Sequence, residues 1–145
     1  MKKLFVLLVA CTIIFTCTSC DISKPSRPTS YANLSMSDLI HDVTIDYNEA
    51  CDKYVNNNFV IFASIEYLSN GGKSFSAHPI NLISDNRISD TTIQIVGSLE
   101  ELPSEQKSLL ATDTQLMFKG TIVEMEYNSP NYIKIKLKVY EIAEW

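Results

Sequence analysis

The sequence predicts a mainly β domain: a strongly bent five-strand sheet or small barrel, preceded by one helix and interrupted by a second, shorter one. Three observations predict it. Five apolar or alternating runs are separated by clusters of Gly, Pro and Asn, as strands joined by turns require. The two longest runs each change the parity of their apolar residues midway, which one extra residue in a strand produces. Ahead of all five runs lies one stretch with the three-and-four spacing of a helix.

The chain of 145 residues opens on a leader. Lys2 and Lys3 form a positive start, and Leu4 to Phe15 form an apolar run of the roughly 7–15 residues seen in secretory signals. Spanning a bilayer takes about 20 apolar residues, so the run is short for a transmembrane helix. Thr18 and Ser19 then precede Cys20. This arrangement resembles a bacterial lipoprotein signal, although Cys17 stands where an aliphatic residue is usual. The resemblance implies cleavage before Cys20, lipidation of that cysteine, and attachment to a membrane of the bacterial cell envelope. An ordinary secretory signal and a retained anchor are the alternatives. Asp21 after the cysteine is an inner-membrane retention signal in some bacteria, so inner and outer membrane stay open.

The division that follows is a leader over residues 1–19, a flexible tether over 20–34 and one domain over 35–145. Asp21 to Tyr31 contains Pro25, Pro28 and three serines with few apolar groups, too few to offset the entropy of ordering. The full chain carries a net charge of −5, and loss of Lys2 and Lys3 makes the remainder more acidic still. Such a surface repels phosphate backbones and disfavours nucleic acid as a partner. With Cys20 lipidated, Cys51 would have no partner for a disulfide.

Ser35 to Val55 reads as the first helix, with Ser35 or Ser37 as N-cap. Leu39, Val43, Tyr47, Ala50, Cys51 and Tyr54 share one face, and Asp42, Asp46, Glu49 and Asp52 populate the others. Cys51 on this stripe reads as a small packing residue. Asn56-Asn57-Asn58 ends the helix, because Asn tolerates the left-handed conformation.

Phe59 to Leu68 is the first strand, with Ile65 and Tyr67 expected inward against Ser64 and Glu66. Ser69 to Lys73, with Gly71 and Gly72, is a tight turn. Phe75 to Ile83 is a second strand, interrupted at His78-Pro79 because proline donates no ladder hydrogen bond. Ser84 to Asp90 is polar loop, and Thr91 to Gly97 is the third strand. Pro103 to Thr112 is a short helix with Leu109 and Leu110 on its apolar face. Gln115 to Tyr127 alternates Leu116, Phe118, Gly120, Ile122 and then switches to Val123, Met125, Tyr127. Tyr132 to Ala143 alternates Ile133, Ile135, Leu137, Val139 and then switches to Tyr140, Ile142.

This order resembles the OB-fold, and within it the bacterial envelope group called tRNA-anti-like. The residues that carry the resemblance are Tyr47-Asn48-Glu49-Ala50-Cys51-Asp52-Lys53-Tyr54, running into Asn58-Phe59-Val60-Ile61-Phe62-Ala63-Ser64-Ile65. A second stretch is Asp113-Thr114-Gln115-Leu116-Met117-Phe118-Lys119-Gly120-Thr121-Ile122. Ala63 stands where the family usually has a glycine at the bend of the first strand. The family has no catalytic signature to transfer, and its name does not establish tRNA binding.

OB-folds bind ligands on the face of their second and third strands, rimmed by two loops. Mapped onto this chain, the face comprises Phe75, Ala77, His78, Ile93 and Gln94. The rim comprises Asn70, Gly71, Gly72, Lys73, Asn128 and Asn131. An ordinary barrel exterior is the plainer reading of the same residues. Lys134, Lys136 and Lys138 line one face of the last strand, where pairing with Glu124 and Glu126 is favoured over a role in binding anions. His41 and His78 are the two histidines, and no spacing around them singles out a nucleophile or a metal site. The chain has no glycine-rich phosphate loop, no HExxH and no CxxC. The expectation is a lipid-anchored, non-enzymatic binding module for an envelope protein, peptide or glycan, without cofactor or metal. A structural partner of a larger envelope complex is the alternative, followed by a nucleic-acid-binding OB domain or a small hydrolase centred on His78.

Overall fold

The computed structural model describes residues 27–80, 91–128 and 131–145. The leader, Cys20 and the first part of the tether lie outside the described residues, as do 81–90 and the tip of the last turn, 129–130. No described helix is long and apolar enough to cross a membrane.

A short strand, β1 (Ala32–Asn33), leads into α1 (Met36–Ile45) and α2 (Tyr47–Tyr54). The single helix expected from the spacing is therefore two. Asp46 is the cause. Its backbone is extended, with φ −148° and ψ 105°. Its N–H closes α1 on the Asp42 carbonyl, and its carboxylate accepts from Asn48 N and Glu49 N at 2.9 and 3.1 Å to open α2. An N-cap carboxylate inside a helical pattern satisfies two orphan N–H donors at once, so the chain turns there. Met36, Leu39, Ile40, Val43, Ala50 and Tyr54 are buried, while Ile45, at the break, is 69% exposed. Asn56 ends α2 at φ 64°, as its side chain permits.

The barrel strands are β2 (Asn58–Leu68), β3 (Ser74–Pro79), β4 (Thr92–Ser98), β5 (Gln115–Tyr127) and β6 (Tyr132–Glu144). They run in the order β2-β3-β4-β6-β5, and β5 returns to pair with β2. All barrel pairs are antiparallel except β4 with β6. A closed five-strand barrel in which the third strand runs parallel to the last is an OB-fold, so the fold class read from the sequence is correct. β1 adds a parallel pairing outside the barrel, opposite Phe59 and Val60. Leu34 N donates to Val60 O at 3.1 Å, and Leu34 is buried. Fixed contacts thus begin within the segment read as tether, because Leu34 has apolar surface to bury.

Inside the barrel, Ile61, Ala63, Ile65, Ala77, Ile95, Leu116, Phe118, Ile135 and Val139 are all at or below 1% exposure. The rings of Phe75 and Phe118 stack at 4.8 Å. Gly97 and Gly120 are close-approach positions. A Cβ on Gly97 would lie 2.3 Å from Phe75 Cε1, and one on Gly120 would lie 2.5 Å from the Lys138 carbonyl.

Both expected parity switches are present as bulges between β5 and β6. Ile122 and Glu124 oppose consecutive partners, which leaves Val123 as the extra residue. Lys119 and Gly120 face Glu141 and Val139, which leaves Tyr140 over. A third bulge lies in β2, where Ile65 and Tyr67 face Ala77 and Ser76, so Glu66 is extra. It reverses the expectation for Tyr67, which points outward and is 61% exposed. The bend attributed to position 63 falls three residues later, and Ala63 is fully buried. The helix expected over Pro103–Thr112 is a single 3-10 turn, Gln106–Leu109, because so short a segment cannot sustain an α-helix alone. It is pinned by Ile142 N, which donates to Gln106 Oε1 at 2.9 Å. The second strand stops at Pro79; the expected continuation to Ile83 lies outside the described residues.

Gly97→Ala drives a methyl into Phe75 and costs about 1–3 kcal/mol of unfolding free energy, as overpacking does; a urea midpoint equal to that of the parent protein would contradict this. Asp42 accepts from Lys53 Nζ at 2.6 Å and Tyr54 OH at 2.7 Å, and these bonds, Lys53 first, hold its carboxyl below the usual carboxylate range. A lowered folded pKa stabilises above the unfolded value of about 3.9 and is lost as pH falls through the folded one. Asp42→Asn should therefore lower Tm at neutral pH and lose that deficit on acidification through this range.

Candidate functional site

The outer face of β3, β4 and β6 carries a groove of about 760 Å³. Its origin is the alternation of the strands. Ser74, Ser76, Val96 and Ser98 are the outward residues of two neighbouring strands, paired Ser74 with Ser98 and Ser76 with Val96. All four are small, so the surface dips. Tyr67 on β2 and Lys136 and Lys138 on β6 rise at the sides, with Val123 beyond. Lys73, Glu100 and Glu101 close the end nearest the β2–β3 turn, where Leu99 N donates to Lys73 O at 2.8 Å. Gly71 and Gly72 hold φ of 87° and 62°, which lets that turn be tight.

A second polar array adjoins the groove. Tyr132 OH donates to Gln94 Oε1 at 2.7 Å, and Gln94 Nε2 donates to Ser76 Oγ at 3.1 Å. Glu66 lies beyond, with Oε2 3.5 Å from Ser76 Oγ and Oε1 2.9 Å from His78 Nε2. His78 Nδ1 is 3.4 Å from the Ile93 carbonyl. The carboxylate thus stands between the serine and the histidine, and Ser76 has no hydrogen bond to His78. A nucleophile activated by His78 would need that bond, and here the Glu66 carboxylate engages both side chains instead.

The residues singled out in the sequence separate into four places. Phe75 and Ile93, with Ala77, are buried at 3%, 2% and 0%, so they fill the barrel and do not present their side chains on its outer face. The reading that placed them on the ligand face is corrected by the strand register, which turns Ser74, Ser76 and Gln94 outward instead. His78 and Gln94 belong to the polar network. Lys73 lies at the groove. Asn128 and Asn131 flank the β5–β6 turn, where Asn131 O accepts from Thr92 N at 2.7 Å. Lys73 neighbours the end of β4 and Asn131 its start, about 20 Å apart at the rise of a strand. One small ligand cannot touch both.

The lysines of β6 are ion-paired. Lys134 meets Glu126 at 3.1 Å and Lys136 meets Glu124 at 3.3 Å, across the hairpin as the alternation implied. Lys138 turns instead to Glu101 at 3.7 Å. Each pair is partly solvated and contributes little stability. Together they leave no bare cationic stripe. Tyr67, Ser74, Ser76, Val96, Ser98, Glu100 and Glu101 were missed in the sequence. The one available signal was Tyr67-Leu68, two large apolar residues in succession where strict alternation would allow one. Among the described residues no group of three or more metal-ligating side chains converges.

No family model matches the sequence, and no curated protein matches it. Solved structures do. One is described as an aspartyl-tRNA synthetase of Leishmania major Friedlin, with TM-score 0.45 and 17% identity over 83% of this chain and 22% of that one. An aspartyl-tRNA synthetase of Entamoeba histolytica gives TM-score 0.38 and 14% identity over 86% and 24%. OBody NL8 bound to hen egg-white lysozyme gives TM-score 0.38 and 11% identity over 60% and 92%. The chain therefore spans less than a quarter of each synthetase. Strand order and closure, described above, carry the fold assignment.

Core and groove residues separate by stability. Phe75→Ala should cost about 3–5 kcal/mol, as loss of a buried ring does. Tyr67→Ala should stay within about 0.5 kcal/mol of the parent, as exposed changes do. Chemical denaturation of the two variants measures both. Comparable losses would mean that Tyr67 supports the core and is not a free groove wall.

Proposed function

We propose that this chain is a lipid-anchored, non-enzymatic binding module of the bacterial cell envelope, attached through Cys20 and related to the tRNA-anti-like OB domains. The observation that carries a binding role is the groove: small residues on two central strands beneath taller tyrosine and lysine walls. A ligand site is commonly concave, with a few polar groups that fix orientation. The leader supports the anchor, through Lys2 and Lys3, the apolar run to Phe15, and Thr18-Ser19-Cys20. No cofactor or metal enters the reading. The acidic balance and the pairing of Lys134, Lys136 and Lys138 argue against nucleic acid. The Glu66 carboxylate between Ser76 and His78 argues against a hydrolase.

A second reading has its own observation. Phe62 and Trp145 pack at 5.3 Å on the barrel exterior, and Trp145 is 65% exposed. An exposed tryptophan of this kind is a common anchor at protein interfaces, which would suit a structural partner of a larger envelope complex.

Intact-mass analysis of the membrane-extracted protein tests the anchor. The expected species lacks residues 1–19 and carries acyl chains on Cys20, and Cys20→Ser should release the protein from the membrane fraction. An unmodified Cys20, or a leader still attached, would overturn the reading.

A further inference from the structure

We infer that the groove walled by Tyr67, Lys73, Lys136 and Lys138 takes the saccharide headgroup of a lipid in the membrane that carries the protein, a reading that rests on anchoring at Cys20. The backbone beneath the groove is the first reason. Ser74–Ala77 pair with Ile95–Ser98, and Thr92–Ser98 pair with Tyr132–Lys138. The central strand is thus bonded on both sides along the groove. An extended peptide has no open edge here to extend, so its main chain would find no ladder partners. Recognition falls to side chains alone, and the ligand must bring its own polar groups.

The side chains fit a polyhydroxylated ring. Tyr67 offers an exposed aromatic face beside the groove. Ser74 and Ser98 present exposed hydroxyls on its floor. The Ser98 hydroxyl accepts from Glu100 N at 3.4 Å and so keeps its proton to donate. Lysine ammoniums can donate to sugar hydroxyls, and Glu100 and Glu101 can accept from them. The same two carboxylates oppose a polyphosphate chain.

Chain length gives the source. Arg27 Nη2 donates to the backbone carbonyl of Glu101 at 2.9 Å, so the chain reaches the domain at the rim of the groove. Cys20 precedes Arg27 by seven residues. Seven residues span at most about 25 Å even when fully extended. A lipid on Cys20 therefore keeps this rim close to the bilayer surface, within reach of headgroups there. Soluble ligands gain nothing from such a short leash, whereas a headgroup in the same membrane gains effective concentration.

The test places the lipidated mature protein in vesicles of phosphatidylethanolamine and phosphatidylglycerol, with or without diglucosyl diacylglycerol. Acetylation rates of Lys73 and Lys136 are followed by mass spectrometry, with Lys53 and Lys107 as references. Filling nine sites in ten should slow the two groove lysines about tenfold relative to the references. Val96→Trp, which fills the groove from an outward position, should abolish the protection while circular dichroism shows the fold retained. No protection by the glycolipid, equal protection by the phospholipids alone, or protection that survives Val96→Trp would overturn the inference. Equal protection of unlipidated Cys20→Ser protein by the free disaccharide would overturn the lipid source. A lipidated protein that shows no protection refutes the groove assignment and leaves the anchor standing; an unlipidated native protein refutes the anchor itself.

Discussion

Seven residue pairs join Asn58–Ser64 of β2 to Gln115–Thr121 of β5 and close the sheet on itself. Closure sets the terms for the rest of the molecule. It removes free edges along most of the barrel, so the ladder is satisfied internally. It also fixes the interior volume, and two central glycines follow from that limit. Gly97 gives way to the Phe75 ring, and Gly120 lets β5 approach the Lys138 carbonyl of β6. A small barrel cannot close without local coiling, and the extra residues Glu66, Val123 and Tyr140 provide it.

Those same bulges shape the exterior. Glu66 as an extra residue turns Tyr67 outward, and Val123 as an extra residue leaves a 38% exposed valine on β5. Both stand at the groove. Devices that bend the barrel thus also raise its walls. The floor is made by the opposite choice, small outward residues on β3 and β4. Charge follows a similar economy. Glu124, Glu126 and Glu101 each answer a lysine of β6, so the wall is polar without a strong field of either sign.

The parts of this fold visible in the sequence are those encoded within one strand. Parity switches in β5 and β6 were legible because each strand is long enough to show alternation on both sides of the bulge. The turn at Gly71-Gly72 and the helix stop at Asn56 were legible from residue chemistry alone. The break at Asp46 was written there too, as an acid three residues before Glu49, yet the helical stripe ran through it unbroken. Tyr67 was misplaced because its strand ends two residues past the bulge, too soon to reveal a new parity. The groove was not legible, since Tyr67, Ser76, Val96 and Lys136 come together only through the lateral register of four strands. Phe75 and Ile93 were assigned outward for the same reason: element order locates a strand in the sheet but not which of its faces is inside.

This division between interior and exterior bears on how such a domain changes its ligand. Phe75 is tied to the ring stack and to Gly97, and Ala77, Ile93 and Ile95 are fully or almost fully buried, so the inward positions of β3 and β4 tolerate little. The outward positions Ser74, Ser76, Val96 and Ser98 share no core contacts and occupy a surface whose backbone bonds are already made. Substitution there alters the depth and polarity of the groove at little cost to stability. Arg27 shortens the list of useful changes, because it binds the chain to Glu101 at the groove's own rim. Anything bound on this face would share that rim with the Arg27 side chain. The chemistry that this face offers therefore depends on a handful of outward side chains, while the buried positions beneath them set only its shape.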